Sequence, residues 1–153
     1  MNEVAFFAGE NWIPVRDGDD RARALYLRHY SARKYRDGRP RRKFVGPGEY
    51  IVLITIKCDA LFIWRKFISG DNQSGVNCAC FRNEGEILSS DLINEACELA
   101  WIRWPGERLY TYVADAKVKS VNPGYCFKQA GWRFCSRNKS GKLSILEILP
   151  SSG

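Results

Sequence analysis

The single histidine of this 153-residue chain, His29, stands inside its densest run of positive charge, RHYSARKYRDGRPRRK, residues 28–43. Imidazole is the side chain whose ordinary pKa lies nearest neutrality, so it serves as base, proton shuttle or metal ligand at physiological pH. Eight cations (Arg28, Arg33, Lys34, Arg36, Arg39, Arg41, Arg42 and Lys43) against one acid, Asp37, give the run a net charge of +7. The whole chain is also +7, from 24 basic and 17 acidic residues, so the remainder balances at 16 of each. Such a run reads as a polyanion contact whose binding is salt-dependent and largely indifferent to sequence. The alternative is a solvated basic face. Tyr30 and Tyr35 within it offer stacking surfaces to an exposed base. Cations around His29 should disfavour the imidazolium, leaving a neutral ring at pH 7 available as base or ligand. The alternative is a structural histidine on a helix.

A second group with chemical potential is RNEGEI, residues 82–87, followed by Ser89 and Ser90. A glycine-bearing turn that leads into a helix N-terminus is a ready anion site, because its amides point outward together. Six cysteines form no CxxC pattern and match no zinc spacing, so they read as reduced thiols of an apolar core. Cys78 and Cys80 should share one face of a strand. With one histidine, no single-chain two-His-one-carboxylate iron triad can form.

The elements that must position these groups follow from periodicity and turn residues. Residues 4–7 predict a short first strand. The acidic cluster at residues 17–20 predicts the cap of a helix that carries His29 and Tyr30 and ends before Gly38 and Pro40. Residues 50–57 and 60–67 predict a hairpin joined at Cys58 and Asp59, its first strand apolar enough to be buried on both faces. A third strand is expected at 76–81, then a helix at about 91–104 capped by Ser89 or Ser90. A strand at 109–113, a short helix over 123–130 closed by Gly131, and a terminal hairpin pairing 132–136 with 143–149 complete the order β-α-βββ-α-β-α-ββ.

Residues 1–153 read as a single domain, large enough to bury a core, with the basic arm at about 28–43. Hydrophobic residues make up 45% of the chain, which sets it apart from a disordered basic tail. No stretch approaches the roughly 18 apolar residues of a membrane span. The N-terminal residues lack the pattern of a secretory signal, so a cytoplasmic location is expected.

The element order resembles the GNAT superfamily of N-acetyltransferases, in which the loop after the fourth strand reads Q/R-x-x-G-x-G/A and cradles the pyrophosphate of acyl-CoA. Arg82 and Gly85 match that loop, and Ile87 departs from it. Residues 121–136, VNPGYCFKQAGWRFCS, are similar to the GNAT ending. RHYS at 28–31, FR at 81–82, SSDLI at 89–93, YVAD at 112–115 and NPGYC at 122–126 together resemble a narrower group, the Mom-type DNA-modification proteins of phages and prophages.

That resemblance implies a fold of mixed α/β (α+β) class: a central mixed, largely antiparallel sheet with helices on both faces. It implies an enzyme acting on double-stranded DNA in a bacterial host cytoplasm, converting adenine N6 to an acetamido (carbamoylmethyl) form that protects against restriction. Acetyl-CoA or a related acyl donor is the implied cofactor, held by Arg82, Gly85, Ser89 and Ser90. Iron is a further implied cofactor, with His29, Asp115 and Tyr125 as ligands. His29, Tyr30, Asp115 and Tyr125 are the implied reaction-side residues. Acetyl transfer alone would yield an N-acetyl group, so a carbamoylmethyl product requires a further step or another donor. A base inside a duplex must also be extruded to react. Two other functions fit the same residues: a conventional GNAT acetylating a protein or small-molecule amine, and a non-catalytic DNA-binding protein on a degenerate scaffold. Monomer and homodimer both remain open.

Overall fold

The computed structural model describes residues 11–29, 42–68, 72–114 and 124–150. Along them run β1 (Trp12–Val15), α1 (Asp20–Leu27), β2 (Glu49–Thr55), β3 (Ala60–Lys66), β4 (Val76–Asn83), α2 (Ser89–Arg103), β5 (Leu109–Ala114), α3 (Tyr125–Gln129), β6 (Arg133–Arg137) and β7 (Leu143–Ile148). The class is mixed α+β. One open sheet of order β1-β2-β3-β4-β5-β7-β6 carries all seven strands. Every neighbouring pair is antiparallel except β4 with β5.

From the first helix onward the order of elements matches the one expected from periodicity, and two points differ at the start of the chain. The expected strand at residues 4–7 lies outside the described residues, and the first described strand is β1. Its Pro14 is tolerated because β1 is an edge strand. The indole of Trp12 anchors it, donating to the Leu92 carbonyl at 2.8 Å. The second difference is at the first helix, which was expected to carry His29. Asp19 caps it as anticipated, accepting from the amides of Arg21 (2.9 Å) and Ala22 (3.1 Å). The helix closes at Leu27, however, with Arg28 and His29 donating back to Leu25 and Tyr26. Across the fold, Arg82 Nη1 donates to the Arg28 carbonyl at 2.9 Å.

The β2–β3 hairpin turns at Cys58, whose φ is +58°. Thr55 Oγ1 stitches it, accepting from the amides of Asp59 and Ala60 and donating to Asp59 Oδ1 at 2.6 Å. Ile51 through Thr55 are buried without a break, as the apolar run predicts. Alternate side chains of this hairpin divide between two clusters. Ile51, Leu53, Phe62 and Trp64 pack with Leu92, Ile93, Ala96 and Cys97 of α2 and Phe127 of α3. Val52, Ile54, Leu61 and Ile63 pack with Ala22, Leu25 and Tyr26 of α1. Trp64 also donates its indole N–H to the Ala96 carbonyl at 2.8 Å, pinning α2 to the sheet.

Cys78 and Cys80 do not share a face. A bulge sets Ile63 opposite Cys80 and Trp64 opposite Cys78, leaving Ala79 as the extra residue. One inserted residue reverses the alternation, so Cys78 joins the α2 cluster and Cys80 the α1 cluster. All six thiols are free; Cys78, Cys80 and Cys97 are buried, and Cys135 is exposed instead of lying in the core. No helix among the described residues is long and apolar enough to cross a membrane.

Candidate functional site where the parallel strands part

Among the described residues the one parallel pair in the sheet is also its shortest pairing. β4 and β5 match register at Val76–Leu109, Asn77–Tyr110 and Cys78–Thr111, and the pairing stops there. Both strands continue, β4 to Asn83 and β5 to Ala114. The bulge at Ala79 turns β4 where the ladder ends. A cavity of about 1530 Å³ opens at this point, with Cys80 and Phe81 on one strand and Tyr112, Val113 and Ala114 on the other. Sites in α/β sheets favour this position, outside the carboxyl ends of parallel strands where neighbours diverge.

Three further segments complete the wall. Tyr26 and His29 come from the end of α1, and Lys43 through Gly46 from the segment before β2. Gly124, Cys126 and Phe127 come from the start of α3. Gly124 holds φ +76°, and a Cβ there would sit 2.5 Å from Leu146 Cδ1, so glycine is what lets α3 approach the sheet.

His29 is half-buried on this wall. Burial, then the nearby Arg82 guanidinium, push its pKa down to about 4, while a hydrogen bond with the Phe81 backbone opposes the shift. The ring is therefore neutral at pH 7, as the sequence suggested, but for a different first reason: desolvation outweighs charge, and the charge comes from Arg82. A neutral imidazole can accept a proton or a hydrogen bond, though at this pKa it is a weak base.

The turn after β4 is organised around a carboxylate. Arg28 donates twice to Glu84, at 2.7 and 2.8 Å, and Arg82 donates to the same group. Held between two guanidiniums, first Arg28 and then Arg82, the Glu84 carboxyl falls to about 2. Arg28 and Arg82 are thus ion-paired within the chain. Gly85 donates its amide to Asn83 Oδ1 at 3.0 Å, and the Glu84 amide donates to the Asp59 carbonyl at 2.7 Å. A Cβ on Gly85 would lie 2.2 Å from Asp59 Oδ2. This glycine makes room for the β2–β3 turn, and two amides of the loop, those of Glu84 and Gly85, are already bonded.

The expected serine cap of α2 is also replaced. Leu88 occupies the cap position with no side-chain cap bond, and Ser89 is the first helical residue. The Asn83 amide takes Ser89 Oγ at 2.9 Å and the Ile87 carbonyl at 2.7 Å. Ile87 leans on the core cluster. Ser89 and Ser90 stand on the first turn of α2, which has no side-chain cap bond.

Of the other expected site residues, Tyr125 is 55% exposed and is not part of the cavity lining. Tyr30, Asp115, Arg33, Lys34, Arg36, Arg39 and Arg41 lie outside the described residues. Arg42 and Lys43 are exposed, and Lys43 stands on the cavity rim. Among the described residues no three His, Cys, Asp or Glu side chains converge as a metal site. Of the ligands the resemblance implies for iron, His29 lines the cavity, Tyr125 does not, and Asp115 lies outside the described residues.

Several lining residues carry no weight in a reading of motifs: Arg65, Asn77, Arg137 and Lys142. Asn77 had one signal available, an amide in the interior of an otherwise apolar strand. The others are ordinary surface cations in sequence, and only the sheet order gathers them. No protein-family model, curated protein or solved structure matches this chain.

Proposed function

We propose that this protein is a GNAT-type enzyme that modifies the N6 amino group of adenine in DNA to an acetamido form, with the β4–β5 cavity receiving the extruded base. One observation carries the reading. Of the five separated segments that resemble the Mom-type group, four place a residue on the same cavity wall: His29, Phe81, Tyr112 and Gly124. The fifth opens α2, directly after the turn that follows β4. The division of the core into two clusters supports a GNAT-type layering, with α1 on one face and α2 and α3 on the other.

In this reading the basic run holds phosphates while a base leaves the stack, and the cavity of about 1530 Å³ receives it. Forming a carbon–nitrogen bond at N6 releases one proton. Neutral His29, held by the Phe81 backbone, is a group on the wall that can accept it. An acyl-CoA, when bound, would supply the acyl carbon: the bond to N6 forms as the thioester C–S bond breaks, and the CoA thiolate leaves and takes up the proton that N6 lost. That transfer gives an N-acetyl group, and a carbamoylmethyl product requires a further step or another donor. Ser89 and Ser90 are the residues that would hold the phosphate of the CoA.

A second reading, a non-catalytic DNA-binding protein on a degenerate scaffold, draws on the internally bonded amides of Glu84 and Gly85. Mass spectrometry of nucleosides from cells expressing the chain separates the two. Modified deoxyadenosine from the wild type, absent with His29→Ala, is the expected result. Unmodified deoxyadenosine alone, with DNA binding retained, would favour the second reading. Full modification by the variant would remove His29 from the reaction.

A further inference from the structure

The charge balance outside the basic run conceals a second basic segment. Residues 116–146 hold seven cations, from Lys117 to Lys142, and no acid. With both segments set aside, the rest of the chain carries nine cations against sixteen acids. Two positive segments are thus set in an otherwise acidic chain, and a polyanion is steered to them. Arg133 of the second segment is engaged, donating to the buried Glu147 at 3.2 and 3.1 Å. Lys139 and Lys142 are exposed and form no ion pair among the described residues. Both stand on the turn that joins β6 to β7, which its own bonds hold in shape. Asn138 Oδ1 accepts from the Leu143 amide at 3.1 Å and from Ser140 Oγ at 3.2 Å, and the Gly141 amide donates to the Asn138 carbonyl at 2.9 Å. Arg137 Nη1 donates across the turn to the Gly141 carbonyl at 3.2 Å. Leu143 pairs with Ala114, so the turn stands at the carboxyl end of β5, where β4 has already parted from it. Arg137, Asn138, Ser140 and Lys142 line the cavity there. Lys43, the last residue of the basic run, lines the same cavity from the segment before β2.

We propose that the β6–β7 turn is a second DNA-backbone contact: Lys139 and Lys142 take phosphates of the same duplex that the basic run holds, so that the DNA bridges the cavity mouth. The contact rests on the reading that this protein acts on DNA, and adds to it a surface in a separate part of the chain. Extruding a base costs unstacking and unpairing energy, and backbone contacts on both sides of the mouth offset it. The turn is already in shape, so ordering its backbone adds little to the cost of binding. Arg133, held by Glu147, is left out of the contact.

The test is fluorescence anisotropy of the full chain with a labelled DNA duplex, titrated at a series of sodium chloride concentrations. Lys139→Gln with Lys142→Gln should reduce the salt slope by about 2, one phosphate each, and its deficit in affinity should close as salt approaches about 1 M. Lys66→Gln with Arg103→Gln removes the same charge from cations paired with Glu107 and Glu49, and should leave the slope as it is. An unchanged slope in the hairpin variant, or an equal loss in both double variants, would overturn the contact. Polyglutamate, or vesicles of phosphatidylglycerol, displacing the duplex as effectively as unlabelled DNA would overturn the assignment to DNA. An unchanged slope together with normal formation of modified deoxyadenosine in cells sinks the contact alone. A slope that falls by about 2, in a protein that leaves deoxyadenosine unmodified, sinks the enzyme reading alone.

Discussion

Lowering the pH should expose His29 as a charge that the fold resists. Its pKa is about 4 in the folded chain against an ordinary value of 6.5. A group whose folded pKa is depressed contributes stability that is complete above the unfolded pKa and is lost as pH falls toward the folded one. The window is therefore from about pH 6.5 down to about pH 4. Linkage over the interval from about pH 7.5 to about pH 5 gives a loss of about 2 kcal/mol. The ring is only half-buried beside an open cavity, so solvent screening brings the expected value to about 1–2 kcal/mol. Urea melts of the wild type and His29→Gln at both pH values isolate this contribution, because carboxylates titrating over the same range act alike in both proteins. The wild type should lose about 1–2 kcal/mol more than the variant. Being the only histidine, His29 also gives a lone imidazole C2–H signal in proton NMR, which should titrate well below the ordinary value. A midpoint near 6.5, or equal losses in both proteins, would refute the desolvation argument and return His29 to the surface.

Gly85→Ala should destabilise the fold by about 1–3 kcal/mol, because the added Cβ meets the Asp59 carboxylate at 2.2 Å. The thermal midpoint should fall by several degrees whether or not any acyl-CoA is present, while an unchanged midpoint would free the glycine for a phosphate role. Neutralising Arg39, Arg41, Arg42 and Lys43 together to Gln should lower duplex DNA affinity and reduce the salt slope by about 3–4, one contact each. A slope that stays put would remove the basic run from the phosphate contacts.

Much of the framework was legible in the chain. The apolar run of β2 predicted burial on both faces, Asp19 lay where a cap was expected, and the order of strands and helices followed from turn residues and periodicity. These are local properties, set by dihedral preference and by which faces of an element are apolar. The candidate site was legible only in part. His29 was conspicuous as the only histidine in a dense basic run, but the cause of its low pKa was not, since neither Phe81 nor Arg82 is near it in sequence. Arg28 was grouped with the phosphate contacts, yet it is held by Glu84, a partner 56 residues away. Gly85 fitted a pyrophosphate loop by type and spacing, while Asp59 supplies the close approach that requires it.

The sequence by itself determined the elements, their order and the charge that one segment carries, because periodicity, capping and ionisation are written residue by residue. Where the sheet opens was decided only by tertiary structure. Ala79 bulges, Cys78 and Cys80 part to opposite faces, and β4 leaves β5 after three pairs. That opening depends on the register between strands that are far apart in the chain, which no local pattern encodes. It turns a histidine, an asparagine and a scattered set of cations into walls of one cavity.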